Sequence, residues 1–149
     1  MEVKRITEEP LSSLEADILD ILKGNYKPNY YGVSSVDELL KEAGLEKFDK
    51  KSRKLISELK GTIKNRYELN TYAKVLFYSD RKKQGLAVFE LNTLLFPDEV
   101  GTYLSLANSL GVLRYHSEAI IQYEKALEID PENEEALRSR DYIKSKISN

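Results

Sequence analysis

The side chains able to do chemistry are few, and their spacing argues against a catalytic site. Ser79-Asp80-Arg81-Lys82 sets a hydroxyl three residues ahead of an amine, the Ser-x-x-Lys arrangement in which a lysine activates a serine for acyl transfer. The match falls in a predicted turn between two helices. Neither the Ser-Asp-Asn nor the Lys-Thr-Gly partner of that chemistry occurs, nor does a Gly-x-Ser-x-Gly nucleophile turn. His116 is the single histidine, placed by the helix pattern in another turn, with no second base or ligand nearby in sequence. Cysteine is absent, which excludes disulfides and thiolate metal sites. The 25 Asp and Glu residues are scattered over helix exteriors, and no pair is set apart for acid–base work. Lys47, Lys50, Lys51, Arg53 and Lys54 cluster around Phe48, but Glu46, Asp49 and Glu58 dilute them into a solvated helix face. The expectation is a chain that is not an enzyme, with no catalytic residue, no metal and no cofactor.

The pattern that does stand out is helical. Tyr103, Leu106, Ala107 and Leu110 recur with the spacing of one helix face, and Ala119, Tyr123, Ala126 and Leu127 repeat it for a second helix. Pro131 follows where that helix has ended. Ala107 and Ala119 are small where two helices cross, so the backbones can approach, and Tyr103 and Tyr123 fill the flanking space. A large residue, then Leu-small-x-x-large, then Ala-x-x-x-aromatic, then Pro resembles the tetratricopeptide repeat (TPR), with Tyr103 in place of Trp, Ala107 in place of Gly and Leu110 in place of Tyr. A step back of ~34 residues, the period of that repeat, pairs Tyr103 with Leu69, Leu106 with Tyr72, Ala107 with Ala73, Leu110 with Leu76, Ala119 with Gly85, Tyr123 with Phe89 and Pro131 with Pro97. Size class is kept at nearly every pair, so residues 66–99 and 100–133 read as two repeats.

A second resemblance is narrower. Leu69-Asn70, Phe89-Glu90-Leu91-Asn92, Phe96-Pro97 and Tyr103-Leu104-Ser105-Leu106-Ala107 are similar to the C-terminal repeat tail of bacterial serine hydrolases of the β-lactamase-like and esterase kinds. It covers roughly the last 80 residues, by the repeat period. Asn92 carries it, because general repeats have Ala at that crossing. The resemblance implies an accessory domain of a hydrolase whose catalytic domain is absent from this chain. On physical grounds alone, an amide at a helix crossing must find a partner or cost roughly 1–3 kcal/mol. Asn92 is therefore expected to bond a backbone group at the junction between repeats.

The rest of the chain positions these repeats. Residues 1–10 are polar. Ser12 and Glu15 make a capping box for a helix over 13–23, whose apolar face is Leu14, Ile18, Ile21 and Leu22 and whose stop is Gly24. Residues 25–33 read as a turn-rich connector with three tyrosines, Tyr26, Tyr30 and Tyr31. A second capping box, Ser35 with Glu38, opens a helix with Val36, Leu39, Leu40 and Ala43 inward and Gly44 at its end. Asp49 is expected to cap a third, with Leu55, Ile56 and Leu59 inward and Gly61 at its end. None keeps the small-residue spacing, so 1–65 reads as a non-repeat segment of about three helices covering one end of the array, because each repeat leaves an apolar face open. The repeat helices are expected over 67–78, 82–95, 102–113 and 117–129. Residues 134–149 form a capping helix, amphipathic with a charged outer face. The fold class is all-α: a TPR-like α-solenoid of two repeats and a cap, with an N-terminal helical segment.

The surface left for function is the concave groove. The resemblance assigns its lining to Tyr67, Asn70, Thr71, Lys74 and Tyr78 in the first repeat. Leu104, Ser105, Asn108 and Val112 follow in the second, with Arg138 and Tyr142 from the capping helix. Lys74, Asn108 and Arg138 suit a carboxylate or backbone carbonyls, and Tyr78, Leu104 and Tyr142 suit an apolar side chain, a mixture fitting a peptide, a partner helix or another copy of the chain. It departs from the chaperone-type carboxylate clamp, which wants Lys where Asn70 stands and Asn where Ser105 stands. An alternative occupant is the protein's own N-terminal helices. A net charge of -2 with 32% charged residues argues against a nucleic-acid partner. No apolar run is long enough to span a bilayer, and 1–10 is charged rather than signal-like, which points to the cytoplasm and away from the membrane.

Overall fold

The structure, a computed structural model, describes residues 18, 19, 22, 23 and 30–148. Among the described residues it holds eight α-helices and no strand. They are α1 Tyr30–Ala43, α2 Leu45–Lys54, α3 Ile56–Thr62, α4 Arg66–Phe77, α5 Lys82–Leu95, α6 Val100–Val112, α7 His116–Ile129 and α8 Glu134–Ile147. The chain is all-α, as its periodicity requires. Most of the helix expected over 13–23 lies outside the described residues. Where that stretch is described, Lys23 N–H donates to Leu19 C=O at 2.9 Å, one α-helical turn.

The repeats pack as pairs, α4 on α5 and α6 on α7, with α5 against α6 and α8 against α7. Small residues set the approach. A Cβ built on Gly85 would lie 2.8 Å from Phe77 N and 2.9 Å from Ala73 O, so backbone meets backbone there and only glycine fits. Ala73, Ala107, Ala119 and Ala126 are fully buried at the corresponding crossings, and Phe77, Phe89 and Tyr123 fill the space beside them. The helix starts are capped from within. The Asn65 side chain accepts from Tyr67 N–H, and Asn133 accepts from Ala136 N–H. Arg114 at φ 64 makes the left-handed step between α6 and α7.

The N-terminal helices follow different rules. Helix α1 begins at Tyr30, inside the expected connector, so Ser35 lies within a helix and does not cap one. Asp49 likewise falls in the middle of α2. The break comes at Leu55, where Leu55 N–H donates to Ser52 C=O at 3.0 Å in a tightened turn. The Ser52 hydroxyl donates to Asp49 C=O at 3.0 Å, the kind of back-bond that bends a helix. Gly44, at φ 67, makes the turn between α1 and α2. Helix α1 packs on α4, and α2 and α3 pack on α5. Tyr72 O–H donates to Asp37 Oδ1 at 2.5 Å and joins α1 to α4.

Candidate functional site: a pocket at the end of the array

The ~34-residue period lines the first helix of each repeat up with α8. Asn70, Leu104 and Arg138 share one row, Lys74, Asn108 and Tyr142 a second, and Tyr78, Val112 and Lys146 a third. The structure treats the members of a row differently. Tyr67, Asn70, Leu104 and Ser105 are buried, so four of the expected groove residues hold the array together and offer no surface. Thr71, Tyr78, Arg138 and Tyr142 are exposed, and Lys74 and Asn108 are half-buried.

The expected residues fall into two groups. At the C-terminal end, Asn108, Val112, Arg138 and Tyr142 come together in a pocket of about 570 Å³, whose wall is completed by Gly111, His116, Tyr123, Ser139, Ile143 and Lys146. Lys74 and Tyr78 do not reach it. They sit on and beside α4, where Tyr78 stands edge-on to Phe77 with ring centroids 5.4 Å apart.

A hydrogen-bonded relay ties the three helices of the pocket. Tyr123 O–H, on α7, donates to Asn108 Oδ1 at 2.5 Å, and Asn108 Nδ2, on α6, donates to Glu135 Oε1 on α8 at 3.0 Å. Burial, with Glu135 adding to it, pushes the Tyr123 phenol up. Asn108 is thereby a strut of the pocket and has its amide engaged on both sides. The rim is apolar and cationic. Val112 and Tyr142 are 62% and 63% exposed, large for apolar side chains beside a pocket. Lys146 Nζ lies 5.3 Å from the centre of the Tyr142 ring. Arg138 holds Glu134 only loosely, at 3.9 Å between exposed side chains.

His116 is the residue that sequence reasoning misplaced. It opens α7 rather than lying in the turn before it, and its ring lines the pocket with a buried Nδ1 that has no hydrogen-bond partner. Lys146 and Ser139 were legible as the α8 members of the rows that start at Tyr78 and Thr71. Ile143 and Gly111 meet across the α6–α8 seam, where a Cβ on Gly111 would touch Ile143 Cδ1 at 3.4 Å.

The remaining candidates for chemistry have structural partners. Ser79 Oγ donates to Leu76 C=O at 2.7 Å, and Lys82 Nζ sits 5.6 Å from the centre of the Phe77 ring. No group of three metal-ligating side chains occurs among the described residues. Asn92 Nδ2 donates to Arg66 C=O at 3.0 Å, a buried backbone bond. Its partner is the first turn of the same repeat, rather than the junction between repeats. Beside it the Arg66 guanidinium stacks 4.3 Å from the centre of the Tyr67 ring and pairs with Glu99 at 3.4 Å. It covers Gly101, where a Cβ would lie 2.4 Å from Nη1.

No helix among the described residues is long and apolar enough to cross a membrane. The helix order and packing give an all-α fold of paired, stacked helices, a TPR-like helical repeat. A solved structure with this architecture is the first TPR of Spaghetti (RPAP3), bound to the HSP90 peptide SRMEEVD; it matches with a TM-score of 0.54 and 16% identity, over 81% of this chain and 94% of that one. At that identity the likeness establishes the fold. The matched share exceeds what residues 66–148 supply, so it takes in part of the N-terminal helices as well. No family model and no curated protein matches the chain.

Proposed function

We propose that this chain is a non-catalytic protein-interaction module that binds a peptide or partner helix at the concave side of its repeats, with the α6–α7–α8 pocket as the anchor. The single observation that carries this is the pocket's wall: exposed Val112 and Tyr142 beside Arg138, Lys146 and a buried, unbonded His116 nitrogen. An apolar floor with a few convergent polar groups is the composition of a recognition site. The solved neighbour binds a peptide on the same fold, which supports the class of partner without naming it. Thr71, Lys74 and Tyr78 form a second patch that an extended partner would reach after leaving the pocket. Residues 66–99 and 100–133 act as the two repeats and 134–149 as the cap.

The test is selection of peptides from a random library on the immobilised chain, followed by titration of the selected peptides. Arg138→Glu with Tyr142→Ala is expected to weaken binding about tenfold or more, as loss of a central aromatic anchor and a rim charge does. Lys47→Glu with Lys51→Glu on α2 is expected to leave it unchanged. Binding that survives the first pair and falls with the second would move the site to the N-terminal helices.

A further inference from the structure

Two parts of this protein complement one another. One is the α6–α7–α8 pocket. Its wall carries Arg138, Lys146 and His116 and no carboxylate. The two acids at the start of the same helix each meet a wall residue without lining the pocket themselves, Glu134 loosely with Arg138 at 3.9 Å and Glu135 with the Asn108 amide at 3.0 Å. The other is the stretch 12–23, Ser-Ser-Leu-Glu-Ala-Asp-Ile-Leu-Asp-Ile-Leu-Lys. Glu15, Asp17 and Asp20 face a single Lys23, so it is acidic, and Leu14, Ile18, Ile21 and Leu22 fall on one face at helical spacing. Where this stretch is described it is helical, yet Ile18 is 46% and Leu22 78% exposed. Exposed Ile18 and Leu22, in a stretch of acidic sequence, thus match an apolar pocket with a basic rim.

We infer that the acidic amphipathic segment 12–23 of one copy seats in the α6–α7–α8 pocket of a second copy. This rests on the groove reading above and names the occupant. Leu22 and Ile18, one turn apart, enter the pocket, which at about 570 Å³ has room for two aliphatic side chains. Asp17 and Asp20 meet Arg138 and Lys146. A second copy fits better than the same chain. Within one chain Ile18 and Leu22 are exposed and neither lines that chain's own pocket, so the pocket of a second copy is the host. Reciprocal exchange uses both pockets and both segments and closes a two-fold dimer.

The experiment is light-scattering mass over a concentration series, on four samples of the full chain. Wild type is expected to move from 17.1 kDa toward twice that mass as concentration rises. The segment variant Ile18→Ser, Leu22→Ser and the pocket variant Arg138→Glu, Lys146→Glu are each expected to stay monomeric, with a dissociation constant raised about tenfold or more. All four positions are at the surface or the pocket rim, and circular dichroism checks that both variants stay folded. An equal mixture of the two variants keeps one intact segment and one intact pocket, and is expected to form a mixed dimer. A monomeric wild type, a dimer indifferent to either variant, or a mixture without a mixed dimer overturns the inference. Library peptides that still need Arg138 and Tyr142 would then leave the groove reading in place with a different partner, whereas peptides indifferent to them would end that reading too.

Discussion

At the crossing of α4 and α5 a glycine touches backbone, whereas α1 and α2 are held together by large side chains. Gly85 and Ala73 leave no room for a methyl group, while Val36, Leu40 and Phe48 fill the N-terminal core. The polar interior differs in the same way. Arg66, Glu68, Asn70, Asn92, Thr93, Thr102, Ser105 and Ser109 are buried in the repeats, and among the residues of 32–62 Ser52 is the buried polar one. Where backbones meet, the residue type at each crossing is fixed and polar groups are needed to satisfy exposed carbonyls. Where side chains fill the gap, many apolar choices serve. The first kind of packing leaves a period in the sequence and the second does not.

Four predictions probe that contrast, the largest first. Asn92→Asp keeps the shape but sets a carboxylate against the Arg66 carbonyl that Asn92 now donates to. Urea unfolding should show a loss of about 3 kcal/mol or more, as an unpaired buried charge requires. Asn92→Ala should cost less, about 1–2 kcal/mol, because only one bond is removed; a neutral result for both would mean that the bond carries no weight. Gly85→Ala should cost about 2–3 kcal/mol by forcing α4 and α5 apart, in spite of a helix-propensity gain of about 1 kcal/mol. Its counterpart in the N-terminal set is Gly61, where an added Cβ meets nothing within 4 Å. Gly61→Ala should therefore raise the midpoint of thermal unfolding, with a gain of about 0.5–1 kcal/mol. Stabilisation by both alanines would erase the distinction between the two regions.

The smallest effects are in pH dependence, and they have opposite signs. Burial pushes the Glu68 carboxyl up, against the pull of the Lys64 and Asn65 backbone N–H groups. A raised acid binds protons more tightly when folded, so its contribution is full below the unfolded pKa and is lost as pH rises through the folded one. Glu68→Gln should gain on wild type as pH rises above the unfolded carboxyl's ordinary value of about 4.3. Asp37 is held down by hydrogen bonds from Lys41 and Tyr72. Its contribution is present above the unfolded pKa and is lost as pH falls through the folded one. Asp37→Asn should be weaker than wild type at neutral pH and converge with it in acid, read from unfolding midpoints across the series.

The same contrast decides what could be read in advance. Ala73, Gly85, Ala107 and Ala119 fixed the repeat helices to within two residues at their ends. Asn92 was legible as a buried donor because an amide at an alanine position demands a partner, though its bond to the first turn of its own repeat was not. In 30–62 the capping signals misled. Ser35 with Glu38 and the isolated Asp49 have the right residue types, but the apolar contacts of Val36, Leu40 and Phe48 carry α1 and α2 straight through them. The repeat resemblance put Arg138 and Tyr142 on one lining, and both border the pocket. It could not tell that Asn70, Leu104 and Ser105 are sealed by neighbouring helices, because burial between adjacent repeats is a property of the stack and not of one repeat.

The central claim is that recognition belongs to the C-terminal end of the array. Its most direct test is amide NMR of the full chain, titrated with a peptide selected on it. The expected result is shift changes gathered on 108–116 and 138–146, with 30–62 undisturbed. Changes gathered on α1–α3, with the pocket silent, would contradict the account.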